Sequence, residues 1–238
     1  MRTSFLASGF AAALAAGGAS AAPVLQDLTT WLSAPEPETE LQSGGINVTP
    51  QSVDMGGNGY RAYVSPVPVV GDWVMAGQMR AYSDDDTMGL VLSYGDGSNN
   101  IRIGWEGGGD WESEVSPFAN GVWIVEETGG VAATIFEDAA NFWSLNVVYD
   151  FEVSSIGGIL SFSFADSANP GVAVASGQAT PGRSTDGQVG VYNGSNNTVF
   201  SNITIDRAPS TTVVPLPAGL PLLTAGLLGL AAFRRRGG

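Results

Sequence analysis

The chain contains no cysteine and no histidine, and its nine cations are all arginine, so lysine is missing as well. Each absence removes a class of chemistry. Without cysteine or histidine there is no Ser-His-Asp or Cys-His nucleophile, no zinc site built on nitrogen and sulfur, and no disulfide framework. Without lysine there is no Schiff base. The catalytic chemistry left open is that of paired carboxylates, as in glycosidases.

Positive charge is also scarce. The 23 acidic residues all lie between Asp27 and Asp206, where only Arg61, Arg80, Arg102, Arg183 and Arg207 oppose them, five arginines for a net charge of −18. Such a surface repels nucleic acid, whose binding rests on cationic contacts to phosphate, so no nucleic-acid partner is expected. It favours solubility and the binding of divalent cations.

Both ends of the chain carry addresses. Met1-Arg2 is a small positive start, Phe5 to Ala16 an apolar run, and Ala19-Ser20-Ala21 a small-residue cleavage pattern, together a secretory signal peptide over residues 1–21. Signal peptidase cutting after Ala21 leaves Ala22 as the first mature residue, whereas a cut after Ala22 would leave Pro23 there. At the other end, Val214-Pro215-Leu216-Pro217-Ala218 precedes an apolar run to Phe233 and then Arg234-Arg235-Arg236. Leu216 to Phe233 is uncharged throughout. As a helix it reaches the lower length limit for crossing a hydrocarbon core of about 30 Å. The arginine triplet orients its end toward the cytoplasm.

A prolyl pentapeptide, one hydrophobic helix and a basic stop resemble the VPLPA variant of the PEP-CTERM sorting signal. Exosortase-type membrane transpeptidases of Gram-negative bacteria recognise and cut that signal. The resemblance implies a protein that crosses the inner membrane, is held there transiently, and is passed to the periplasm, outer surface or extracellular matrix. The expected organisation is a signal peptide (1–21), one exported domain (22–210), a tether (211–213) and the sorting signal (214–238) with a transmembrane helix over about 216–233.

About 190 residues suffice for one domain with a substantial core, and the pattern within them is β. Trp143, Leu145, Val147, Tyr149, Phe151 and Val153 alternate with Ser144, Asn146, Val148, Asp150 and Glu152, which predicts one long strand. Leu160, Phe162 and Phe164 follow the Gly157-Gly158 turn and predict its hairpin partner. Met88, Leu90, Leu92 and Tyr94 are expected on one face of a strand, with Ile101, Ile103 and Trp105 after the turn Gly95 to Asn99. Val189 and Val191, then Val199, Ile203 and Ile205, close the domain. Asp27 to Ser33 fits either a short helical turn or a first strand, and Ala165 to Gly187 reads as loop. With no amphipathic helix in evidence, the expected fold is all-β, an antiparallel two-sheet sandwich followed by the C-terminal hydrophobic helix.

Two segments carry a second resemblance. Gly77-Gln78-Met79-Arg80, the acidic triplet Asp84-Asp85-Asp86, the strand Met88 to Tyr94 and Ile101 to Trp105 form one; Gly187 to Tyr192 with Phe200-Ser201-Asn202-Ile203 form the other. In this order they resemble the C-terminal lectin-like domain of thrombospondins. That resemblance implies a concanavalin-like jelly roll, often calcium-bearing, that serves adhesion rather than catalysis. The stretch Asp110 to Asn141 departs from it.

Three sets of side chains suggest sites. Asp84, Asp85 and Asp86 offer hard oxygens for calcium beside a strand, with Asp96 or a backbone carbonyl completing the shell. Glu106, Asp110, Glu112 and Glu114 surround Trp111, a candidate sugar platform, but their spacing is not that of a glycosidase strand. The sequons at Asn47, Asn193, Asn196 and Asn202 read as Asn-rich turns. The sequence thus points to an exported, non-enzymatic adhesion or binding domain with an extracellular glycan or protein ligand, and the alternative is a carbohydrate-active domain that binds or cleaves glycan.

Overall fold

Alternating apolar residues produce strands here because successive side chains point to opposite faces, so each strand can line a core with one of them. The computed structural model describes residues 23–35, 45–57, 60–83, 86–107 and 121–207, all within the unit Met1–Ala208. The signal peptide, the tether and the sorting signal with its helix lie outside the described residues.

In chain order the strands are β1 (Val24–Leu25), β2 (Leu32–Pro35), β3 (Ile46–Thr49), β4 (Ser52–Met55), β5 (Tyr60–Val64), β6 (Trp73–Ser83), β7 (Thr87–Asp96) and β8 (Asn99–Trp105). They continue with β9 (Val122–Thr128), β10 (Val131–Asp138), β11 (Tyr149–Ile156), β12 (Ile159–Asp166), β13 (Ala173–Ala179), β14 (Gln188–Gly194) and β15 (Asn197–Arg207). Sheet A runs β13-β12-β11-β6-β15-β4-β3, with β1 added on β15, and sheet B runs β10-β9-β8-β7-β14-β5-β2. The ladders within both sheets are antiparallel, and the sheets pack as a jelly-roll sandwich. Among the described residues the only helix is the 3-10 turn Leu28–Thr30, capped by Asp27, and no helix there is long and apolar enough to cross a membrane. The segment Asp27 to Ser33 therefore forms both of its expected elements in succession, a turn and then β2.

The core between the sheets takes Trp73, Met75 and Met79 from β6, Ile101, Ile103 and Trp105 from β8, and Phe151 and Val153 from β11. Leu160, Phe162 and Phe164 of β12, Phe200, Ile203 and Ile205 of β15, and residues of β4, β7, β9 and β14 join them, all nearly or fully buried. Trp105 stacks on Phe164 at 5.0 Å and meets Tyr149 edge-on at 4.7 Å, geometries that aromatic pairs favour. The predicted β11–β12 hairpin is present, and Gly157 and Gly158 both have positive φ (59° and 79°), as a two-residue primed turn requires.

Several expectations need correction. The strand predicted from Trp143 begins only at Tyr149, because Asn146 sits in the left-handed region (φ 63°) and breaks the alternation. Trp143 instead bridges Gly107, and its indole N–H donates to the Trp105 carbonyl at 2.8 Å. Tyr94 does not share a face with Leu90 and Leu92, since positive φ at Ser93 (49°) and register shifts against β8 and β14 turn it to the outside with Val91. The same device at Asn202 (φ 54°) shifts the phase of β15, so that Thr198 and Phe200 are buried ahead of it while Val199 is only half-buried. Ala165 to Gly187 is not all loop, because β13 forms an edge of sheet A there.

Candidate functional site

Each sheet has an outer face, and the two differ. On sheet B the outward residues Ala34, Tyr60, Ala62, Val64, Val91, Tyr94, Trp123, Val125 and Tyr192 form a second buried apolar cluster. Tyr60 stacks on Tyr192 at 5.9 Å, and the Arg102 guanidinium lies 5.5 Å from the Tyr192 ring centre. Arg102 is paired with Glu127 at 2.9 Å, with side chains 1% and 7% exposed. Glu106, predicted in the second carboxylate cluster, is buried and accepts hydrogen bonds from Thr87 Oγ1 (2.6 Å) and Trp123 Nε1 (3.0 Å). These contacts make it a structural acceptor. Asp110, Trp111, Glu112 and Glu114 lie outside the described residues.

The acidic loop is only partly described. Asp84 and Asp85 lie outside the described residues, whereas Asp86 is buried and its carbonyl accepts from Asn196 Nδ2 at 3.0 Å. Asn193 donates to the Asn196 carbonyl, Thr198 donates to Asn193, and Asn197 holds Ser83 and the Gly57 amide. Asn193 and Asn196 are thus fully buried props of the loop. Asp96 does not join Asp86. Asp86 precedes β7 and Asp96 is its last residue, more than about 20 Å apart at the rise of a strand, and the Asp96 carboxylate is used by its own turn, accepting from Ser98 N–H (2.8 Å) and Asn99 Nδ2 (2.9 Å). Among the described residues no three acidic side chains converge on a metal position, and Asp96 is not placed to complete a calcium shell with Asp86; Asp84 and Asp85 lie outside that comparison. Ala19, Ala21, Val214 to Ala218 and Arg234 to Arg236 all lie outside the described residues.

Sheet A is open on its outer face. A groove of about 500 Å³ crosses β13, β12, β11, β6 and β15, lined by Gln78, Asp150, Glu152, Ser163, Asn202 and Thr204 over a floor that includes Ala76 and Ala165. That volume falls in the range of small-ligand sites. The sheet register sets the lining in two rows. Asp150 stands opposite Gln78, which stands opposite Ser201; one step along, Ser163, Glu152, Ala76 and Thr204 are cross-strand neighbours. A hydrogen-bonded chain runs along the first row. Asn202 Nδ2 donates to Gln78 Oε1 (3.0 Å), Gln78 Nε2 donates to Asp150 Oδ1 (3.0 Å), and Ser167 Oγ donates to the same oxygen (2.8 Å). This chain orients the amides and the carboxylate before any ligand arrives.

Farther along β6 on the same face, Tyr82 is 37% exposed and its hydroxyl donates to Asp54 Oδ1 at 2.7 Å. Burial, then the hydrogen bond and charge of Asp54, push the phenol up to about 12. Gln78, Asn202 and Tyr82 were not expected as site residues from the sequence, where Asp150 and Glu152 stood only as outward positions of a strand. The available signal was that both acids share one face, two residues apart.

No family model matches the chain, and no curated protein matches its sequence significantly. Solved structures do match. The carbohydrate-binding module CBM66 from Bacillus subtilis superposes with a TM-score of 0.57 at 16% identity, covering 77% of this chain and 99% of that one. The exoplasmic domain of VIP36 in its Ca2+- and mannose-bound form gives 0.56 at 12% identity, covering 80% and 90%. The shared fold is an antiparallel two-sheet jelly roll. A galectin-like protein of unknown function from Bacillus subtilis gives 0.52 at 10% identity, covering 79% and 97%. At these identities the likeness concerns architecture, and the site must be argued from this chain's own residues.

Proposed function

We propose that this protein is an exported, non-catalytic glycan-binding domain, delivered to the cell envelope or extracellular matrix by its N-terminal signal peptide and its C-terminal sorting signal. The observation that carries the binding reading is the open groove on sheet A with its preset Asn202–Gln78–Asp150–Ser167 chain. Sugars present many hydroxyls, each both donor and acceptor, and a fixed row of amide and carboxylate groups on small-residue ground can meet several at once. The neighbouring folds support this reading, since CBM66 is by name a carbohydrate-binding module and VIP36 is seen with mannose.

The test is retention of the protein on immobilised glycans, alone and with Gln78→Ala or Asn202→Ala, together with an assay for new reducing ends. Retention that both substitutions weaken, with no reducing ends released, supports binding without catalysis. Release of reducing ends that Asp150→Asn abolishes would replace it with the carboxylate-glycosidase alternative. For sorting, the expectation is cleavage by an exosortase-type enzyme near Val214 to Ala218, where Pro215 and Pro217 keep the chain extended. Mass spectrometry of the mature protein should find its C-terminus before Gly219, and intact Arg234 to Arg236 would leave a plain anchor. Calcium enters the proposal only as an ion of the Asp84–Asp86 loop. A thermal midpoint equal in calcium and in chelator would remove it.

A further inference from the structure

We infer that the groove on sheet A selects a glycan bearing ammonium groups, an amino-sugar chain, with Glu152 as the residue that takes the positive charge. The inference rests on the glycan-binding reading above and adds the class of sugar. It comes from an imbalance in the lining. Two carboxylates, Asp150 and Glu152, face the groove, and no arginine is among its lining residues within the described chain; Arg80, the next outward residue of β6 past Gln78, stands on the side away from Glu152.

The two acids are not equivalent. Asp150 is half-buried, and one of its oxygens already accepts from Gln78 and Ser167, so it serves as a fixed acceptor for a hydroxyl. Glu152 is exposed, and its cross-strand neighbours on this face are Ala76 and Ser163, which bring no charge to it. Residues two apart on a strand share a face at about 7 Å, and neighbouring strands lie about 4.8 Å apart. The groove therefore offers a hydroxyl-reading row beside an anionic one. A uronic or sulfated chain would place like charge against Glu152 in a domain that carries −18. A neutral chain can also hydrogen-bond to that carboxylate, but an ammonium adds charge–charge attraction to the hydrogen bond. The overall charge also draws a cationic chain toward the protein, an effect that salt screens.

The experiment is calorimetric titration of the full chain, purified in detergent, with three tetrasaccharides: glucosamine, its N-acetylated counterpart and a uronic acid. The proteins are wild type, Glu152→Gln, and Glu137→Gln as a control for net charge, since Glu137 lies on β10 away from the groove. The expected result is that the glucosamine tetramer binds wild type and Glu137→Gln alike, loses at least about tenfold in affinity to Glu152→Gln, and weakens in 300 mM salt. Equal binding of the N-acetylated tetramer, preference for the uronic tetramer, or equal loss in both variants overturns the inference while the glycan-binding reading stands. Binding of none of the three by a protein that is also not retained on immobilised glycans overturns both.

Discussion

The two outer faces of this sandwich come from the same kind of strand and end in opposite states. On sheet A the outward residues of β6, β11 and β12 include Gln78, Arg80, Asp150, Glu152, Ser161 and Ser163, and the face stays open. On sheet B the outward residues of β5, β7, β9 and β14 include Tyr60, Val91, Trp123 and Tyr192, and the face is buried. Alternation guarantees only that one face of a strand is apolar; the composition of the other face decides whether it becomes a second core or a surface. Here the difference divides labour. One outer face holds the protein together, and the other is left open to the ligand proposed above.

The sharpest way to break that contrast is to truncate an outward residue on each side. Trp123→Ala removes a fully buried indole and leaves Glu106 without one of its donors, and should cost about 3–5 kcal/mol. Gln78→Ala, in an open groove, should cost about 1 kcal/mol or less. Denaturant unfolding measures both, and equal losses would mean that the groove is as structural as the buried face. The second core also contains the Arg102–Glu127 pair. Arg102→Met alone strands Glu127 in a buried place and should cost roughly 3–5 kcal/mol, whereas adding Glu127→Leu should recover most of that loss. Failure of the double substitution to recover would show that Arg102 acts chiefly through its packing on Tyr192.

A smaller effect is expected where the two sheets are joined. Asn196→Ala deprives the buried Asp86 carbonyl of its donor and should cost about 1–3 kcal/mol. Measured beside calcium titration, it also tests whether the acidic loop needs its asparagine props to hold an ion. A loss within error would show that the loop keeps its place without the Asn196 bond.

The fold was legible because its core strands alternate: Leu160, Phe162 and Phe164 announce β12, and Gly157-Gly158 announce its hairpin. Local phase changes and weak stripes escaped. Ser93 and Asn202 look like ordinary polar residues, yet each takes positive φ inside a long strand and moves the next residues to the other face. β13 is built from Ala173, Val174, Ala175, Ser176, Gly177, Gln178 and Ala179, too small or polar to show a hydrophobic stripe. The groove was less legible still. Asp150 and Glu152 could be read as outward positions, but Gln78 lies 72 residues from Asp150 and 124 from Asn202, and only the register of β6 between β11 and β15 unites them. Charge composition, by contrast, needed no fold to be informative.

The smallest expected effect belongs to Asp96, which lies on neither outer face and sets the scale for a solvated turn. Its hydrogen bonds from the Asn99 side chain and the Ser98 amide hold its carboxyl below the usual range in the folded protein. A folded-state value below the unfolded one means that the unfolded chain binds the proton more readily, so stability is gained above the ordinary aspartate value of about 3.9 and lost as pH falls through the folded one. Asp96→Asn removes the ionisation and weakens the turn's acceptor. Its thermal midpoint should therefore trail that of wild type at neutral pH, and the gap should narrow as pH drops below about 4. A gap independent of pH would mean that the turn depends on the shape of the side chain and not on its charge. A gap as large as that of Asn196→Ala would mean that an exposed turn matters as much as the buried junction between the sheets.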